Sequence, residues 1–179
     1  MYISLSSALI AGMGPLHAKA IMNTVEYNMT MSATLGPEPT DEAIEAFIIK
    51  TISKGQVVPG YGHALLRGKD PRLAFISNFT KTHKTPEIAR KGAAGMLSLD
   101  LMKRAHVLVP DLLRVHIPRM KNPAPNVDAL SGCIMLSYGF EADALVLFAA
   151  CSRGMGISAQ YVWDRGMFFC KISSMKLGS

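Results

Sequence analysis

The sequence predicts an all-α protein. Three observations carry this. Apolar residues recur at helical spacing through most of the chain, as at Ile21, Val25 and Met29. Glycine and proline punctuate these stretches at Gly14-Pro15, across Gly36–Pro39 and again over 57–72. Between such turn signals no run alternates with period two over about six residues, which a half-buried strand requires.

The elements follow in order. A short apolar helix over 3–12 stops at Gly14-Pro15, and a second starts near His17 and ends before Gly36. Thr40 reads as the N-cap of a third, with Asp41 and Glu42 in its first turn. Ile44, Phe47, Ile48 and Ile52 form its apolar face, and Gly55 ends it. Further helices are predicted over 73–81, 86–108 and 110–116. Beyond the loop "RMKNPAPNVDALSG" come helices over 127–138, 141–152 and 155–168.

With 179 residues, 49% of them hydrophobic, the chain can bury a core, and disorder is excluded. The net charge of +6 favours anionic partners. The cations are scattered, so no nucleic-acid partner is expected. No segment has the uninterrupted apolar length of a bilayer span, so no membrane partner is expected either. Cys133, Cys151 and Cys170 are odd in number and far apart, which gives neither a disulfide framework nor zinc spacing and suggests small buried hydrophobes. The N-terminal "MYISLSSALIAGMGPLHAKA" imitates a signal peptide but lacks a basic leader and is interrupted by serines, so it reads as buried helix.

The chemistry concentrates in "VVPGYGHALLRGKDPR", 57–72. Bare backbone at Gly60 and Gly62 can approach a ligand, while Arg67, Lys69 and Arg72 can pair phosphates or carboxylates. His63 lies at the same place, although a histidine at a helix boundary more often has a structural role. Pro123 and Pro125 stiffen the approach to Asp128, which a first-turn capping role explains equally well. His17 follows Gly-Pro-Leu at a helix start, where the dipole disfavours imidazolium.

Taken together, "GPLH" at 14–17, 57–72, "KNPAPNVDALSG" at 121–132, "SRGMG" at 152–156 and "WDR" at 163–165 resemble the C-terminal part of the citrate synthase family, mitochondrial (eukaryotic) type. The resemblance implies condensation of acetyl-CoA with oxaloacetate, then hydrolysis of citryl-CoA to citrate and CoA, in the tricarboxylic acid cycle. Asp128 would be the general base, His17 the donor to the thioester oxygen, and His63 the residue that binds and protonates the oxaloacetate carbonyl. Arg72, Arg153 and Arg165 would hold oxaloacetate carboxylates, Arg165 in the partner subunit's site of a homodimer. Val58, Gly60 and Tyr61 would hold the CoA adenine through backbone, with Arg67 and Lys121 on its phosphates. No metal or prosthetic group is required.

The same resemblance divides the chain into a large-domain helix over 1–18, a small CoA-binding domain over 19–138 and large-domain helices over 139–179. The tail from about 168 is unmatched. The family chain is more than twice as long, and its upstream part would hold most of the dimer interface and a further oxaloacetate histidine. Apolar residues of the last helices (Leu145, Phe148, Val162, Trp163) are therefore expected to be exposed. Localisation is expected in the mitochondrial matrix by family type, although no targeting segment is present. Departures from the family pattern are Ala18, Lys19, Ala20 and Ile21 after His17, Leu130 in place of a histidine, and the ending "MFFCKISSMKLGS". A non-catalytic protein that binds CoA-like anions and a 2-methylcitrate synthase fit these residues as further readings.

Overall fold

A computed structural model describes residues 2–12, 19–62, 66, 68–83 and 99–176. Among these the regular structure is helical: α1 Tyr2–Gly12, α2 Lys19–Leu35, α3 Asp41–Ser53, α4 Pro71–Thr82, α5 Leu99–His116, α6 Asp128–Ser137 and α7 Ala142–Lys176. The predicted all-α class holds. The sole extended pairing among the described residues is one antiparallel bridge between Tyr61 and Pro125.

The chain forms two compact units. One comprises 20–145 and the other joins 1–19 to 146–179. In the first unit, two apolar clusters make the core. Val25 from α2, Met102 from α5, Leu130, Cys133, Ile134 and Leu136 from α6 and Leu145 from α7 form one. Ile44 and Ile48 from α3 pack against Leu101, Val109 and Leu113 from α5 in the other. The close approach of α2 and α6 depends on Gly132, where a Cβ would stand 2.7 Å from Val25 Cγ2.

Local chemistry explains the helix ends. Thr40 caps α3, its hydroxyl accepting from the Ala43 N–H at 3.3 Å, and Gly55 follows the C-cap with φ +70°. Arg104 of α5 pins this start, donating from Nε to Asp41 at 2.7 Å and from Nη1 to the Pro39 carbonyl at 2.6 Å.

Two predicted breaks are absent. Pro110 lies inside α5, and α7 runs unbroken through Gly154 and Gly156 for 35 residues. Packing of the helix faces decides the first, because Val109 and Leu113 flank Pro110 and are buried in the α3–α5 core. Continuity also changes the membrane reading. Residues 142–167 of α7 are long and apolar enough to cross a bilayer by length and composition, which the two shorter predicted helices were not. The first part of the predicted 86–108 helix, 86–98, lies outside the described residues, and the rest belongs to α5.

Candidate functional site

The two loops singled out in the sequence meet. Pro123 and Pro125 have no N–H, so between Asn122 and Val127 only Ala124 and Asn126 carry a backbone donor. Asn126 donates its N–H to the Gly60 carbonyl at 2.9 Å, and Gly62 donates to the Ala124 carbonyl at 3.0 Å. The Asn126 side chain donates to the Gly62 carbonyl at 2.8 Å and accepts from the Asp128 N–H at 2.9 Å. Asn122, nearly buried, donates to the carbonyls of Leu66 and Gly68, each at 3.0 Å, and accepts from Ala124 at 3.2 Å.

Gly60 and Gly62 both have φ +84°, a conformation glycine adopts without strain. At Gly60 the missing side chain matters as well. A Cβ there would lie 2.6 Å from the Ala129 Cα, so its backbone rests on the first turn of α6. This contact sets the Gly60–Gly62 backbone beside Asp128.

Asp70 ties the arrangement together. It is the N-cap of α4, with Pro71 in the first turn. One carboxylate oxygen accepts from the Arg72 N–H at 3.0 Å and from Arg72 Nε at 2.9 Å. The other accepts from Arg72 Nη2 at 2.7 Å and from the Val127 N–H at 3.0 Å. One buried carboxylate thus joins the start of α4 to the start of α6. Its side chain is 1% exposed. The Arg72 bonds hold its pKa down at about 2 against the cost of burial, with help from the two backbone donors. The Arg72 guanidinium is held charged, first by Asp70 and then by the Asp128 carboxylate. Arg72 and Asp128 are therefore close enough to share an electrostatic field.

Asp128 lies in the first turn of α6, as expected, and its neighbours take two of the backbone donors there. Asn126 takes the Asp128 N–H and Asp70 takes the Val127 N–H. Val58 is 3% exposed in the core, and the Tyr61 ring turns inward towards His106, centroids 5.9 Å apart, where burial raises its phenol pKa. At both positions the backbone rather than the side chain is left for a ligand. Lys121 is exposed. Arg153 and Arg165 are exposed on α7, Arg165 lying over the Tyr161 ring at 5.4 Å. His17, His63 and Arg67 lie outside the described residues.

The departures have physical counterparts. Leu130 is 3% exposed in the core, an environment in which an apolar side chain needs no partner. Lys19 is exposed at the start of α2. Cys133 is buried, accepts from Asn28 Nδ2 at 3.3 Å and has its pKa pushed up to about 11 by burial. Cys151 is exposed, against expectation, because it faces out from α7. The Cys170 side chain lies outside the described residues.

Sequence reasoning passed over Asp70, Asn122, Asn126 and His106. The Asp70-Pro71 pair carried a usable signal, since an acidic N-cap followed by proline marks a helix start, yet that helix was placed at 73. His106 has no comparable signal. Its Nδ1 lies 2.8 Å from the Met102 carbonyl, which accepts the proton of the neutral ring, and Nε2 is buried without a partner. Burial lowers its pKa.

The family description "Citrate synthase, C-terminal domain" matches residues 1–171. The chain belongs to the citrate synthase family. It is 35% identical to a mitochondrial 2-methylcitrate synthase of Emericella nidulans, over 93% of this chain and 35% of that protein. It is 36% identical to a mitochondrial citrate synthase of Kajikia audax, over 94% of this chain and 34% of that one. The chain thus spans about a third of the length of these relatives. The fold matches a solved citryl-CoA lyase from Hydrogenobacter thermophilus with TM-score 0.62 and 18% identity, over 88% of this chain and 53% of that one.

Proposed function

We propose that this chain supplies the catalytic C-terminal part of a citrate synthase, which condenses acetyl-CoA with oxaloacetate and hydrolyses the citryl-CoA formed. The observation that carries the reading is the junction around Asp70. It fixes a cation for a carboxylate ligand, Arg72, and a candidate base, Asp128, at the end of a glycine backbone loop. A condensation of this kind needs a base at the acyl methyl group and cations on the acceptor, both preorganised.

In this reading Asp128 takes the methyl proton, His17 donates to the thioester oxygen, and His63 binds and protonates the oxaloacetate carbonyl. Arg72 and Arg153 clamp its carboxylates, and Arg165 reaches the site of a second subunit. The backbone at Val58, Gly60 and Tyr61 holds adenine, with Arg67 and Lys121 on the CoA phosphates. The reaction is assigned to the mitochondrial matrix, a reading supported by relatives named as mitochondrial. The similarity to 2-methylcitrate synthase favours a second reading, propionyl-CoA as the acyl donor.

The test is release of free CoA thiol, with and without oxaloacetate, by this chain joined to the upstream portion of a full-length relative. Asp128→Asn keeps the shape and removes the base, so turnover should fall by about a hundredfold or more. Oxaloacetate affinity should change far less. No release from the joined protein would leave only a non-catalytic protein that binds CoA-like anions. A preference for propionyl-CoA would select the second reading. The 179-residue chain alone should turn over little, because it spans about a third of its relatives.

A further inference from the structure

A groove of about 550 Å³ is formed by α4, α5 and the loop before α6. That volume suits a small organic ligand and is too small for a folded partner. Leu73, Ala74, Val107 and Pro110 give it apolar walls. Its charges are unbalanced. Of the two carboxylates on the lining, Asp70 is saturated by Arg72 and Val127, and Asp111 is paired with Arg114. Lys69 and Lys103 also line the groove, and neither has a hydrogen bond or ion pair with another described residue. Two positive charges are thus left to a concave, largely apolar surface, which focuses their field on whatever enters.

From this geometry we infer that the groove is a second ligand site, separate from the glycine loop, for a small organic dianion with an apolar body. The charge would be a phosphate monoester or a dicarboxylate, held between Lys69 and Lys103, while the body lies against Val107, Ala74 and Pro110. Asp70 belongs both to this lining and to the junction that holds Arg72 and Val127, so the site adjoins the proposed reaction centre without using its groups.

The experiment is calorimetric titration of the full chain with phenyl phosphate, phthalate and inorganic phosphate in turn. His106 also lines the groove, and its imidazole signals by NMR are the local reporter. Phenyl phosphate or phthalate should bind saturably and shift the His106 signals, and inorganic phosphate, which has no apolar body, should bind more weakly. The tighter of the two aromatic probes identifies the anion class. Lys69→Met with Lys103→Met should weaken binding about tenfold or more, the usual scale for losing charge-assisted contacts. Val107→Trp should abolish binding by filling the groove. It replaces a side chain that is 71% exposed, so the core is untouched if the lysine variants fail to fold. Lys50→Met, exposed on α3, should leave binding unchanged. The inference is overturned by absence of saturable binding, by binding that survives both groove variants, by static His106 signals, or by displacement of the probe by CoA.

Discussion

At the scale of single residues, Asp70 decides most. Its folded-state pKa, about 2, lies below the usual carboxylate value of 3.8. The sign follows directly. The contribution to stability is complete above the unfolded pKa and is lost as pH falls through the folded one. Acid titration should therefore remove it progressively between about pH 4 and pH 2. It amounts to at most about 2 kcal/mol. Added salt should reduce it, because the Arg72 side chain is 53% exposed and partly screened. Asp70→Asn should flatten that part of the pH–stability curve in denaturant melts, and an unchanged curve would show that the pairing with Arg72 is worth nothing. His106 acts in the same direction at higher pH. Its buried neutral ring has a lowered pKa, so stability should fall as pH drops below about 6.5, and His106→Asn should remove that slope. The glycines, the prolines and Arg72 were legible in the sequence, because each has a chemistry that survives without coordinates. The work of Asp70, Asn122 and Asn126 was not. It rests on hydrogen bonds across 54 to 64 positions of chain, which spacing alone does not reveal.

At the scale of elements, α5 carries an unresolved conflict between local and tertiary preference. Pro110 removes an N–H from the helix interior and leaves the His106 carbonyl without its usual helical donor. The helix persists because Leu101, Ala105, Val109 and Leu113 bury one continuous face against α3. Proline costs about 3 kcal/mol relative to alanine in a helix interior. Pro110→Ala should therefore raise the midpoint of chemical unfolding and stabilise the chain by about 1–3 kcal/mol. A neutral or destabilising outcome would mean that α5 is bent at Pro110 in a way its neighbours need. The same competition explains which elements could be read in advance. Thr40, the apolar face of α3 and Gly55 agree with one another, so α3 was placed within a residue or two. Pro110 and the pair Gly154 and Gly156 signalled breaks that packing and helix length overrode. Periodicity reports the face a helix will bury but not whether two predicted helices are one.

At the scale of the whole molecule, the two units differ in how they treat apolar surface. Leu145, at the start of α7, was expected to be exposed, but it is fully buried in the core of the first unit. Beyond it α7 behaves as expected. Phe148, Met155 and Val162 are exposed by 51%, 81% and 66%, and Trp163 by 67%. Phe148, Met155 and Val162 recur every seventh position, so they lie along one side of the helix. A stripe of large apolar side chains in water is a surface that associates. The exposed Arg153, near its middle, makes burial in bilayer interior costly, which favours a protein partner over lipid. The chain spans about a third of the length of its relatives. In isolation the chain should therefore self-associate. Light scattering across a concentration series should show mass rising above the 19.4 kDa of one chain. Phe148→Glu with Val162→Lys, both at solvent-facing positions, should shift the distribution towards that single-chain mass while the helical circular dichroism stays constant. If the upstream portion of a relative packs on this stripe, joining it to the chain should suppress large aggregates more strongly than either charge substitution. A monodisperse single-chain species at every concentration would sink the idea, and it would require α7 to hide these side chains against its own unit.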